Sequence, residues 1–281
     1  MTPTPSIRPL ARLARPLAIT AALTLVFVAA AEAHDMFLKP VRYFADPSAD
    51  VLVRVLNGTF SRSENSIARA RVSDVAVVGP AGRTRLDTAA WSVAGDTSTF
   101  SVRTGGAGTY VLGASTRPSV IALEAKDFNA YLAEDGIPDI LALRRKAGET
   151  EQPARERYSK HVKALLQVGS QRSAAALTPL GYPAELVPLA NPYALHVGDT
   201  LRVRTMVEGA PAARQFVLYG GRLPNGDMIA ARNVRSDSGG VARIPLRSAG
   251  VWYVKFINMR RIVRDTVDYE SKWATLTFEV R

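Results

Sequence analysis

Short runs rich in Val, Leu, Thr and aromatic residues recur along this chain, and nearly every one is closed by a turn signal. Val51–Leu56 stops at Asn57-Gly58, and Val72–Val78 stops at Gly79-Pro80. Thr97–Val102 follows Gly95-Asp96, and Gly105–Gly108 turns the chain into Thr109–Leu112. The pattern returns after residue 193. Leu201, Val203, Thr205 and Val207 alternate, Phe216–Tyr219 is β-rich, and Asp237–Gly240 is a hairpin signal before Val241–Leu246. Ser248-Ala249-Gly250 leads into Val251–Phe256, and Trp273–Val280 alternates to the end. Evenly punctuated β-rich runs predict β-sandwiches. The expected fold is mainly β: two antiparallel sandwiches, immunoglobulin-like or transthyretin-like, at 34–123 and 193–281.

Between them the pattern shifts. Phe128, Tyr131 and Leu132 fit one short helix, and Pro138 opens a second with Ile140, Leu141 and Arg144 on successive turns. Tyr158, His161, Val162 and Leu165 fall at i, i+3, i+4 and i+7, which predicts a third helix opened by Pro153 and stopped by Gly169. Residues 124–169 therefore read as a helical insert packed across the seam of the sandwiches, and 170–192 as an extended linker.

The first 33 residues belong to neither sandwich. Arg8, Arg12 and Arg15 precede an apolar stretch from Leu17 to Ala31, and Ala31-Glu32-Ala33 has the small-x-small form of a signal-peptidase site. This is the composition of a secretory signal peptide. The stretch is short for a membrane span, which needs about 20 residues. Cleavage after Ala33 makes His34 the mature N-terminus, and cleavage after Ala31 is the alternative. The expected location is the periplasm, with no integral membrane segment left after cleavage.

The chain has no Cys, so disulfides, thiolate ligands and a lipoprotein anchor are excluded. Its net charge is +11, but no dense Lys/Arg run interleaves with aromatics, which argues for a solvated basic surface over a nucleic-acid site. No nucleophile elbow, P-loop or His-Glu-x-x-His motif is present, so the expected protein is not an enzyme.

Only three histidines remain as candidate ligands, His34, His161 and His196. Imidazole, carboxylate, amine and carbonyl donors suit Cu, Ni, Co or Zn. At a mature N-terminus His34 offers an α-amine and an imidazole to one ion, and Asp35 adds a carboxylate next door. A second imidazole would complete a tetragonal three-nitrogen set of the histidine-brace type. His161, on the apolar face of its expected helix, is the candidate partner, against a core role. His196 precedes Gly198-Asp199 and reads as a turn residue or a further ligand.

Several stretches carry a resemblance. They are Ala33–Pro40, Asn57–Phe60 with Ser63–Ile67, Glu156–Gly169, Glu185–Pro192 and Trp273–Phe278. In these the chain resembles the bacterial periplasmic proteins grouped as domain of unknown function 4198, which are linked with nickel and cobalt uptake. The resemblance implies His34 as a ligand position, and a metal-uptake transporter or outer-membrane receptor as partner. The reading that follows is a non-catalytic accessory for Ni, Co or Cu. The alternatives are an envelope module that binds a glycan or outer-membrane partner without metal, and a histidine-brace copper oxidase.

Overall fold

The computed structural model describes Met1 and residues 34–263 and 265–281. The signal-peptide expectation lies outside the described residues. The described residues from 34 onward form one compact unit.

In chain order the first strands are β1 (Asp35–Pro40), β2 (Phe44–Ala45), β3 (Asp50–Gly58), β4 (Val72–Gly79), β5 (Gly82–Arg85), β6 (Ser92–Ala94), β7 (Thr97–Arg103), β8 (Gly108–Thr116) and β9 (Ser119–Leu123). Two helices follow, α1 (Ala125–Glu134) and α2 (Pro138–Ala147). The remaining strands are β10 (Ala154–Val168), β11 (Ala184–Pro188), β12 (Thr200–Val207), β13 (Ala210–Pro211), β14 (Phe216–Arg222), β15 (Met228–Arg235), β16 (Val241–Pro245), β17 (Gly250–Arg261) and β18 (Tyr269–Val280).

They build three sheets. One is ordered β1-β3-β7-β6, and another has β11, β13 and β16 around β12. Between these lies a ten-stranded sheet whose path runs β15-β14-β17-β18-β10-β8-β4-β5, with β2 and β9 also on β10. The fold is mainly β and sandwich-like, as the turn spacing indicates. Antiparallel pairing dominates, but β10 runs parallel to β18 and β2.

β10 corrects the third expected helix. The apolar positions fit a helical period, yet Ala154–Val168 is one long strand, and Gly169 (φ 58°) ends a strand instead. The reason is burial on both faces. Val162, Ala164, Leu166 and Val168 pack into the core under β1 and β3, while Leu165 packs into the core under β12 and β16. A strand buried on both sides reads as a continuous apolar run, and periodicity cannot separate that from a buried helix. The insert thus holds only α1 and α2, and β10 belongs to both sandwiches at once. The expected linker carries a strand too, since β11 pairs with β12.

Both helices form where the sequence places them. Phe128, Tyr131 and Leu132 of α1, and Ile140, Leu141 and Arg144 of α2, are their buried residues. They pack on Ile257, Tyr269 and Trp273 of the central sheet. Gly148 caps α2 at φ 68°, its N–H bonded to the Arg144 and Arg145 carbonyls. That left-handed turn favours glycine. The Arg144 guanidinium lies 4.9 Å from the Phe128 ring centre and donates to the Glu149 carbonyl at 2.7 Å, which ties the first half of α1 to the segment after α2.

Candidate functional site

β1 starts one residue after His34, with Asp35 in register opposite Gly58 of β3. Its backbone is also held from β18, where the Thr275 hydroxyl donates to the Met36 carbonyl at 2.9 Å. The segment after β3 then folds back on itself. The Asn57 carbonyl accepts from the Glu64 and Asn65 N–H groups at 3.0 and 3.1 Å, and Asn57 N–H donates to Ser63 Oγ at 3.0 Å. Gly58 permits this close approach, because a Cβ there would sit 2.6 Å from the Arg62 carbonyl oxygen. The result brings the Glu64 carboxylate to His34, with Oε2 2.9 Å from Nδ1. Both side chains keep some access to solvent, at 15% and 27% exposure.

Beneath His34 lies a buried ionic network. The Lys160 ammonium donates to the His34 carbonyl and to Asn57 Oδ1 at 2.8 Å. Lys255 bridges Asp35 Oδ2 at 2.5 Å and Asp135 Oδ1 at 2.9 Å, where Asp135 is the C-cap residue of α1. Glu156 Oε1 accepts from the Tyr131 hydroxyl at 3.1 Å and from Ser271. Asp35 Oδ1 and Glu156 Oε2 are buried without a partner among the described residues.

Burial dominates the electrostatics here. It pushes the Lys160 ammonium down to about 8, against the pull of Asp35 and Asp135. It pushes Glu156 up to about 7, against the hydrogen bonds from Ser271 and Tyr131. It also lifts Asp135 to about 6, although Lys255 is in contact. For Lys255 burial is again the largest single influence, but two carboxylates together outweigh it and raise its proton affinity.

The four residues singled out in the sequence are not one cluster. Asp35 is a counter-ion to Lys255, so its metal role gives way to an ion pair. His161 is a strand residue and points to the face of β10 opposite Lys160 and His34. There its Nδ1 meets Ser115 Oγ at 2.9 Å and its Nε2 meets Ser159 Oγ at 3.0 Å. Burial, with Lys272 adding, pushes it down to about 3, so the ring is neutral and both nitrogens are engaged. It is a satisfied core histidine. The His196 side chain is 85% exposed, with Nδ1 3.7 Å from Asp199 Oδ2, while the His196 backbone N–H donates to the same oxygen at 2.8 Å. No group of three or more His, Asp or Glu side chains is arranged for a metal among the described residues.

Glu64 is the residue that sequence reasoning missed. Its signal lay in the second block of the family resemblance, Ser63–Ile67, but spacing alone does not bring it to His34. Lys160, Lys255 and Glu156 were missed, because isolated charges, two on the expected third helix and one in a β-rich run, read as solvated positions.

Fold and site together define a mainly β, sandwich-like protein with an ordered His–Glu pair at the head of its first strand. No helix among the described residues is long and apolar enough to cross a membrane. The family described as "Domain of unknown function (DUF4198)" matches residues 31–260, and the chain belongs to it. No curated protein matches. Among solved structures, the chain is similar to a two-domain fibronectin type-III segment from chicken tenascin, at 11% identity and a TM-score of 0.22, over 88% of this chain and 98% of that one. It is also similar to a tetra-tandem repeat from the extending region of a large adhesion protein, at 11% identity and a TM-score of 0.22, over 88% of this chain and 49% of that one. Likeness at that level carries no functional argument.

Proposed function

We propose that the mature protein begins at His34 and is an exported, non-catalytic binder of one divalent transition ion. Its partner would be a metal-uptake system of the envelope. The observation that carries this reading is the 2.9 Å approach of the Glu64 carboxylate to His34 Nδ1, one residue before β1. Removal of the leader would add an α-amine on the same residue. Amine, imidazole and carboxylate are donors that suit Cu(II), Ni(II) or Co(II). The donor set fits one small cation without His161 or His196. A terminus pinned by Lys160 and by pairing with β3 loses little freedom when it takes up an ion. Export is supported by the leader composition and by a family match that starts at residue 31.

The test uses protein exported by a bacterial host. Intact mass fixes the N-terminus, and the same sample is titrated with Cu(II), Ni(II) and Co(II). The expected result is a chain that starts at His34 and binds one equivalent. One added residue before His34, or Glu64→Gln, should weaken binding about tenfold or more, since each removes a donor worth on the order of 1.4 kcal/mol. A chain that starts elsewhere, or an extended form that binds equally well, overturns the proposal.

A further inference from the structure

The outer face of the β12–β16 pair concentrates positive charge. The two strands run antiparallel with Arg202 opposite Arg243, Arg204 opposite Val241 and Thr200 opposite Pro245. Leu201, Val203 and Thr205 of β12, with Ala242, Ile244 and Leu246 from β16 and its end, are buried inward. Alternation therefore turns Arg202, Arg204 and Arg243 outward, and continues one step past β16 to Arg247, so that all four are exposed. Outward residues on a strand lie about 7 Å apart and neighbouring strands about 5 Å apart, so these guanidinium groups form a compact array.

Little on the protein neutralises it. Among the described residues none of the four takes part in an ion pair. Two carboxylates lie near. Asp199 sits against His196 at the turn before β12. Asp237 accepts from the Gly239 and Val241 N–H groups at 2.9 Å each. Those bonds hold its carboxyl below the usual range, and Arg243 and Arg202 add to the effect. Like charges directly across a strand pair destabilise a sheet. The Arg202–Arg243 pairing therefore leaves a cost in the free protein that an external anion would relieve. Arg247 also lines a slot of about 150 Å³, together with Arg232, Pro245 and Trp252.

We infer that this face docks the protein on a phosphate-bearing anionic membrane surface. Guanidinium forks match phosphate oxygens in pairs, which favours this anion. The four arginines stand on the outer face of two neighbouring strands, spread in two directions instead of along one line, so the array suits a plane of headgroups better than a single extended polyanion. The inference is independent of metal binding at His34.

The experiment measures co-sedimentation of the full mature chain, in chelator, with phosphatidylcholine vesicles with and without phosphatidylglycerol. Each cationic side chain at such a surface is worth about fivefold in partitioning, and less at physiological salt. The Arg202→Gln/Arg204→Gln/Arg243→Gln/Arg247→Gln variant should therefore bind phosphatidylglycerol vesicles about tenfold or more weakly. A control variant with the same charge loss, Arg54→Gln/Arg69→Gln/Arg145→Gln/Lys146→Gln, should retain most of the binding. Equal losses in both variants would reduce the effect to net charge and overturn the assignment. Absence of vesicle binding overturns it too, as does capture by soluble heparin through the same four arginines with vesicles left unbound.

Discussion

Glu156 makes the clearest quantitative demand on the buried network. Its carboxyl is 1% exposed, has no basic partner in contact and leaves Oε2 unpartnered. Burial raises it from 4.5 to about 7. A raised folded value means that the folded chain holds a proton the unfolded chain has released. Its stabilising contribution is thus complete below pH 4.5 and is lost as pH rises through about 7. At about 1.4 kcal/mol per unit, that loss has a ceiling of about 3 kcal/mol by pH 8. Lys160 trims it, because it holds its own proton less well once the neighbouring charge is gone, so about 2 kcal/mol is expected. Glu156→Gln fixes the site neutral and nearly preserves its shape. In urea unfolding followed by tryptophan fluorescence, the variant should match the wild type near pH 4 and exceed it by about 2 kcal/mol at pH 8. A difference of the same size and sign at both pH values would refute the reasoning, since it would arise from packing and not from ionisation.

Three further outcomes follow from the same structure. His161 is held down at about 3 against 6.5 when free, so its contribution is present above pH 6.5 and lost as pH falls towards 3, by up to about 4–5 kcal/mol. His161→Gln should flatten the acid limb of the stability curve, and unchanged steepness would contradict a neutral buried ring. Lys163 pairs with Glu185 at 2.9 Å, both 3% exposed, so Lys163→Met should cost about 3–5 kcal/mol, less whatever the Leu180 and Tyr182 N–H groups still supply to the carboxylate. Chemical denaturation of the variant and of a Lys163→Met/Glu185→Leu double variant checks this, and the double variant should recover part of the loss. Gly58→Ala forces a Cβ to 2.6 Å from the Arg62 carbonyl and shifts the loop that presents Glu64. Metal titration should then show weakened binding, with a smaller effect on the unfolding midpoint.

The turn signals carried most of the fold. Asn57-Gly58, Gly79-Pro80 and Gly250 close or open strands where they stand in the sequence, and Pro138 opens α2. What stayed hidden was β10. Its side chains serve two cores, and no local pattern records that a strand has two neighbouring layers. His34 was legible as a special position because it follows Ala31-Glu32-Ala33, a small-x-small sequence. Glu64 was not, since its approach depends on a backbone fold-back that only Gly58 allows. His161 misled for a related reason. A helix would have placed it on one apolar stripe, whereas the strand turns it away from Lys160, its neighbour in sequence.

The parallel pairing of β10 with β18 sets a timetable for folding. Ser271 meets Glu156 across 115 residues, and Thr275 meets Met36 across 239. Loop closure over such spans is slow, and topologies rich in distant pairings fold late. Neither sandwich has a complete floor until the last strand has arrived. A chain emerging N-terminus first would therefore stay uncommitted through most of its length, a state that suits threading through a narrow pore and exposes it to proteases until the final dozen residues are out.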